Sequence, residues 1–155
     1  AYGKYCNEHL LSRSPGHLLP GDDDYSGADG GSARAAGIRI LTGKGVDDDL
    51  MMFTSEKELS KKLQMAMTAG RIVTAGIGKQ LNSDNTTSNG LPGGHEYSVI
   101  DYDPETKLVT LRNPWGEGEP KDANGDPLDG TDDGVFTMTL ADFRKHFTVI
   151  NYQEA

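Results

Sequence analysis

Apolar residues recur at a helical period most clearly in residues 55–69, SEKELSKKLQMAMTA. The buried stripe predicted for this helix comprises Leu59, Leu63, Ala66 and Met67. Ser55 and Glu58 predict a capping box at its start, and Gly70 predicts its end. Further helices are predicted over residues 1–12, over residues 31–42 between Ser32 and Gly43, and over residues 140–147 with a cap formed by Thr139 and Asp142.

Strands are predicted where short runs of β-branched and aromatic residues are bounded by turn residues. Residues 71–77, RIVTAGI, are mainly apolar and predict a strand that is buried on both faces. Residues 96–102 and 107–113 flank the turn sequence DPET and predict a β-hairpin. Two more strands are predicted over residues 135–139 and 148–152.

Polar, glycine-rich segments separate these elements. Residues 13–30, 78–94 and 114–134 are predicted as loops, the second of them flexible, and residues 44–49, KGVDDD, are predicted as a polar loop. The order of helices first and mostly antiparallel strands afterwards predicts an α+β fold with a strongly twisted antiparallel sheet or partial barrel. We expect residues 1–155 to form one domain, and to be a piece of a longer protein because the chain opens with AYGKYCNEHLL.

The charge balance excludes some classes of partner. Lys and Arg number 15 against 24 Asp and Glu, which gives a net charge of −9. With no basic stripe to meet phosphates, nucleic acid is not an expected partner. No apolar run approaches the ~20 residues that span a membrane. Cys6 is the only cysteine, so no internal disulfide can form, which favours a reducing compartment and the cytoplasm for the parent protein.

The predicted hairpin carries a candidate catalytic pair. His95 follows two glycines at the start of the first strand, and Asn113 ends the second, so both side chains should project at the same edge of the sheet. An Asn carbonyl can accept the imidazole N–H and fix its tautomer. Trp115 could cover that bond, and Pro114 could stiffen the approach. Either polar residue alone would commonly be a loop or turn residue, but the combination is typical of half of a cysteine-protease site.

The stretch from 93 to 119, GGHEYSVIDYDPETKLVTLRNPWGEGE, resembles the His and Asn-Pro-Trp-Gly blocks of the calpain family of papain-like cysteine peptidases. AYGKY, YSGADGGSARAAGIRILTGK and GVFTMTLADFRKHFTVINY resemble other family segments in the same order. The resemblance implies the right-hand subdomain of a papain-like fold and peptide hydrolysis by a Cys-His-Asn triad. It also implies His95 as general base and acid, Asn113 as its orienting group and Trp115 as its shield.

The resemblance supplies no nucleophile within this chain. Cys6 lacks the Gly-Asp-Cys-Trp context of the family, and it lies closer to His95 than the roughly 130–150 residues typical of papain-like enzymes. We therefore expect the thiol upstream, in a Cys-bearing subdomain that would be the partner of this one, with proteins or peptides as substrates. A non-catalytic binding or regulatory module of the same fold, and an acidic calcium-binding module, are the alternatives.

Residues 116–134 are rich in carboxylates, which suit calcium when they alternate in a glycine-rich loop. DANGD starts with the ligand rhythm of an EF-hand, but Pro127 replaces its glycine and Asp133 its final Glu. The resemblance maps calcium ligands onto Glu119, Asp126 and Asp133, while Val135 stands where the family has another Glu. No cofactor should be required, and we expect at most a weak calcium site; the alternative is a solvated acidic loop.

Overall fold

The structure, a computed structural model, describes residues 36–122 and 124–155. Helix α1 spans Ala36–Thr42, α2 spans Glu56–Thr68 and α3 spans Leu140–His146, with a short 3-10 turn at Met51–Phe53. The strands are β1 Val46–Leu50, β2 Val73–Ile77, β3 His95–Asp103, β4 Leu108–Arg112, β5 Val135–Thr139 and β6 Val149–Gln153. These elements confirm the predicted α+β class.

The six strands form one antiparallel sheet in the order β1-β6-β2-β3-β4-β5. Among the described residues the sheet is open, with β1 and β5 at its edges, which agrees with the antiparallel sheet or partial barrel that was predicted. The central strand β2 is buried along most of its length, as its apolar sequence predicts. Its last residue, Ile77, pairs with His95 at the start of β3, which places His95 at one end of the sheet.

Helix α2 covers one face of the sheet and contributes its predicted stripe to the core. Leu59, Leu63 and Ala66 are buried, and Met67 packs partly buried against them. The Ser55 hydroxyl accepts a hydrogen bond from the Glu58 N–H at 3.3 Å, which confirms the N-cap. The Glu58 carboxylate lies 3.7 Å from Lys62 Nζ one turn later in the same helix.

The prediction of a polar loop over 44–49 is wrong, because β1 occupies most of this segment. Val46 to Leu50 pair with Gln153 to Val149 of β6. Three consecutive Asp residues look like a loop in sequence, but an edge strand tolerates charge because its outer side chains stay in water. The Asp49 carboxylate faces α2 and forms an ion pair with Lys62 Nζ at 2.7 Å.

Several predictions fall on residues outside the described part of the chain. These are the helix over 1–12, the loop over 13–30, the cap at Ser32 and every expectation about Cys6. The later half of the helix predicted over 31–42 is confirmed as α1, after which Gly43 takes a φ of +69°. Within the described residues, no helix combines the length and apolarity that a bilayer crossing needs.

Candidate active site

The hairpin of β3 and β4 brings His95 and Asn113 together. His95 begins β3, and Asn113 directly follows β4, whose last residue pairs with Ser98. His95 Nε2 lies 2.8 Å from Asn113 Oδ1. The juxtaposition predicted from the hairpin is therefore confirmed, and it follows from local chain geometry because both residues lie near the same end of adjacent strands.

The Asn113 amide is held in one orientation. It is fully buried, and its Nδ2 donates to the carbonyl oxygens of Glu117 at 2.6 Å and Gly118 at 3.3 Å. The Trp115 N–H donates to Oδ1 at 3.2 Å. The oxygen must therefore face His95, and an amide oxygen only accepts.

The orientation of the amide fixes the tautomer of His95. Because Asn113 Oδ1 accepts, Nε2 must carry the ring proton in the neutral imidazole, and Nδ1 is left as the basic nitrogen. Among the described residues, the ring makes its one hydrogen bond through Nε2. Because Nδ1 has no hydrogen-bond partner in the described part of the chain, it can accept a proton from a group brought to this end of the sheet.

Two aromatic rings set the tilt of the imidazole. The Trp115 ring lies 4.0 Å from the His95 ring, centroid to centroid, at an angle of 38°. Tyr97, two residues along β3 on the same face, meets it edge-on at 4.9 Å. Trp115 is 62% exposed, so it covers the ring on one side while its other side faces solvent.

The long loop after Asn113 folds back to support it. The Gly134 carbonyl accepts the Asn113 N–H at 2.7 Å, and the Gly134 N–H donates to Glu119 Oε1 at 2.8 Å. Glu119 Oε1 also accepts from the Asp133 N–H at 2.9 Å. A Cβ on Gly134 would lie 2.8 Å from the Gly116 backbone, so a glycine is required where the two ends of the loop meet.

Glu119 is an unusual carboxylate because it is only 3% exposed and its Oε2 has no hydrogen-bond partner in residues 36–122 and 124–155. Burial raises the pKa of this carboxyl group, and the nearby charges of Asp129 and Asp133 act in the same direction. The two backbone N–H groups that it accepts oppose this shift of the pKa. Glu119 thus places a buried oxygen, for which the described residues offer no hydrogen bond, in the acidic loop formed by residues 116–134.

The model of the calpain family of cysteine proteases matches residues 22–129. The chain belongs to this family. It is 30% identical to mouse calpain-9 over 79% of its length and 29% identical to human calpain-9 over the same share. Against calpain clp-4 of Caenorhabditis elegans the identity is 30% over 80% of the chain. The chain spans only about a fifth of the length of these calpains.

The acidic loop of this calpain-family chain does not assemble all three predicted calcium ligands. Glu119 and Asp133 are neighbours through the bond from the Asp133 N–H, while the Asp126 side chain is exposed in a separate turn where its N–H donates to Asp122. Within residues 36–122 and 124–155, no three acidic, His or Cys side chains come close enough to share a metal ion. The buried Oε2 of Glu119 suits a cation, but the donor set around it is incomplete.

Two contributors to the site were not predicted from the sequence of this calpain-family chain. Tyr97 could have been found from strand alternation, because residues two apart share a face and His95 was already placed on β3. The link from Glu119 through Gly134 to Asn113 joins residues across a long loop, and no pattern in the sequence marks it.

Proposed function

We propose that this chain is the His- and Asn-bearing half of a calpain-like cysteine endopeptidase. The nucleophilic Cys would lie upstream in the same protein, and the two halves would enclose a protein or peptide substrate. The observation that supports this best is the His95–Asn113 pair, with Nδ1 as the basic nitrogen and the amide held by its own donors. Such a pair needs only a thiol at Nδ1 to complete a Cys-His-Asn triad.

In the proposed reaction, Nδ1 of His95 takes the thiol proton, and the thiolate attacks the carbonyl carbon of the scissile peptide. The imidazolium then protonates the departing amine, which leaves an acyl-enzyme thioester. A water molecule gives a proton to Nδ1 and attacks the thioester, after which the proton returns to the thiolate and the carboxylic acid departs. Asn113 keeps Nδ1 pointed outward throughout, and Trp115 shields the Nε2 hydrogen bond from water.

The 155-residue chain alone should not hydrolyse peptides or casein. Without a thiol at Nδ1 no acyl-enzyme forms, and the imidazole alone offers only ordinary base catalysis. Fluorogenic peptide and labelled casein assays measure this, with the full-length protein as the positive control. Hydrolysis by the chain that is blocked by iodoacetamide and abolished by Cys6→Ser would overturn the proposal and assign the thiol to Cys6.

Assays of the full-length protein distinguish a catalytic role from the alternative hypothesis of a non-catalytic binding or regulatory module. If an upstream Cys completes the site, the full-length protein should hydrolyse peptides, and Cys→Ser at that position should remove the activity. A full-length protein that binds peptides but never cleaves them, with or without calcium, would favour the non-catalytic module.

We also propose a weak calcium site at the base of the acidic loop, for which Glu119 Oε2 supplies the supporting observation. Glu119 and Asp133 would hold the ion, and Asp126 would have to move to join them. With few well-placed ligands, affinity should lie near the ~10⁻⁴–10⁻³ M end of the range for calcium modules. Calcium would supply charge compensation for the acidic loop and no chemical step.

Millimolar calcium should raise the melting temperature of the chain, because calcium would bind the folded loop only. At ten times Kd the gain is about 1.4 kcal/mol, or roughly 4 °C for a domain of this size. Differential scanning fluorimetry in calcium and in magnesium measures it, and Glu119→Gln, which keeps an oxygen for Gly134, should remove the calcium effect. Tight micromolar binding by calorimetry would contradict a weak site, and an unchanged melting temperature would contradict any site.

A further inference from the structure

We propose that Asn85 is a positioning residue for His95, acting through the backbone of Gly93. Asn85 lies in the segment from 78 to 94, which joins β2 to β3 and delivers the chain to His95. Its Oδ1 accepts the Gln80 N–H at 2.8 Å, and its Nδ2 donates to the Gly93 carbonyl at 2.7 Å. One side chain thus ties the start of the segment to its end, two residues before His95.

The backbone strengthens the same connection. The Gly93 N–H donates to the Asn85 carbonyl at 2.6 Å, so Gly93 is bonded to Asn85 through both of its polar groups. The next residue, Gly94, donates to the Ile77 carbonyl at 2.9 Å, and His95 then enters the sheet opposite Ile77. The path into the active site is therefore fixed on both sides of Gly93.

The close approach of Gly93 to Asn85 and Gln80 is independent evidence that this part of the segment is tightly packed. A Cβ on Gly93 would lie 2.6 Å from Asn85 Oδ1 and 2.9 Å from the Gln80 nitrogen. Any side chain at Gly93 would push the end of the segment away from its start. The inner part of the segment is anchored separately, because Leu91 is fully buried and the Thr87 N–H donates to its carbonyl at 2.8 Å.

Asn85 adopts a backbone conformation that favours glycine or asparagine. Its φ is +51°, and among the described non-glycine residues only Lys107, at +56°, shares a positive φ. Asparagine tolerates this region better than most residues do. Glycine would adopt this φ with less strain. The presence of asparagine at position 85 is therefore explained by the two hydrogen bonds that its side chain makes.

The inference concerns the geometry of His95. An imidazole fixed by one hydrogen bond and two ring contacts still depends on where its backbone lies. If Gly93 is released, the first residue of β3 can fray, and Nε2 moves away from Asn113 Oδ1. Only the catalytic consequence rests on the proposed function; the effect on the His95–Asn113 bond can be measured without it.

Asn85→Gly is the direct test, since it removes both side-chain bonds while relieving the positive φ. Lys107→Gly is the matched control, because it relieves the same strain at the exposed turn of the hairpin. Asn85→Asp keeps the acceptor for Gln80 and loses the donor to Gly93, so it isolates one bond in case the glycine variant folds poorly. The probes are nitrogen-15 NMR of the His95 ring and hydrogen exchange of the Gly94 amide, both on the 155-residue chain.

In Asn85→Gly, exchange at Gly94 should rise about tenfold, and the His95 ring should lose its single Nε2–H tautomer signature. Asn85→Asp should shift both readouts in the same direction, and Lys107→Gly should leave both unchanged. A tautomer signature that stays intact in both Asn85 variants would overturn the proposal and leave Asn85 a loop-stabilising residue only. In the full-length protein kcat should fall with little change in KM; intact NMR effects without any peptidase activity would refute the proposed function and not this inference.

Discussion

Replacing His95 with Ala in the full-length protein is expected to remove nearly all peptide hydrolysis, with kcat/KM lowered about 10⁴-fold or more. The imidazole is the only group in the proposed site that can both take the thiol proton and return it to the leaving amine. The side chain is partly exposed and lies at the end of a strand, so its loss should change the free energy of unfolding little. Steady-state kinetics with a fluorogenic peptide, alongside urea denaturation, measures both quantities.

Asn113→Ala should cost less activity than His95→Ala, because water can partly replace an orienting oxygen. It should cost more stability, since Asn113 is fully buried and its amide satisfies the carbonyls of Glu117 and Gly118. Both carbonyls lie in a partly buried site, where each hydrogen bond that is lost costs about 0.5–1.5 kcal/mol. Asn113→Asp is the sharper variant, because it keeps an oxygen toward His95 while losing the donor to the loop.

The two kinetic results discriminate between the proposed roles. If His95→Ala retained substantial activity, the imidazole would not be the general base, whatever its geometry. If Asn113→Ala matched His95→Ala in activity at full stability, the amide would do more than orient the ring. Trp115→Phe, which keeps an aromatic ring over His95, serves as a control that should reduce activity only modestly.

The parts of the site that follow from local sequence were predictable, and those that depend on distant contacts were not. His95 and Asn113 belong to one hairpin whose turn and alternation are plain in the sequence, so their meeting follows from strand pairing. The same holds for the cap at Ser55 and for the strand Val135–Thr139, each set by a few neighbouring residues.

Where long-range pairing decides the structure, the sequence misleads or says nothing. The Asp-rich segment of β1 becomes a strand only because β6, about 100 residues later, offers its edge. The segment from 78 to 94, predicted as a flexible loop, contains hydrogen bonds centred on Asn85. No periodic pattern in the sequence predicts these bonds. Carboxylate content predicted a calcium site, but whether Asp126 joins Glu119 depends on how the loop turns.

Stability should fall steeply above pH 10, because burial makes two tyrosines harder to ionise in the folded protein than in the unfolded chain. Tyr97 and Tyr152 are 1% and 6% exposed, and neither hydroxyl has a hydrogen-bond partner among the described residues. Burial raises the pKa of both phenols, and for Tyr152 the charges of Asp49 and Glu58 raise it further. Below the ordinary tyrosine pKa of about 10 both states hold the proton, so the stability contribution is complete there.

As the pH rises above that value, the unfolded chain loses two phenolic protons that the folded chain keeps. Each proton lowers the free energy of unfolding by about 1.4 kcal/mol per pH unit, so the pair should cost roughly 2.7 kcal/mol per unit until the folded tyrosines ionise. Urea denaturation at intervals from pH 8 to 11.5 measures the slope. Tyr97→Phe and Tyr152→Phe should each remove about half of this pH dependence of the free energy of unfolding.

At pH 8 the phenylalanine variants also show whether a tyrosine hydroxyl stabilises the folded protein through a hydrogen bond. Tyr97→Phe removes a hydroxyl that has no partner within the described residues and keeps the ring against His95 and Phe136, so stability at pH 8 should stay equal or rise. Tyr102→Phe is the contrasting control, because the Tyr102 hydroxyl lies 2.7 Å from Ser60 Oγ and its removal should cost about 1 kcal/mol. If the wild-type and Tyr97→Phe curves stay parallel through pH 11.5, the Tyr97 hydroxyl must reach water or a partner when it ionises. In that case the aromatic packing beneath His95 would be looser than the contacts of Tyr97 with Phe136 and Phe147 imply.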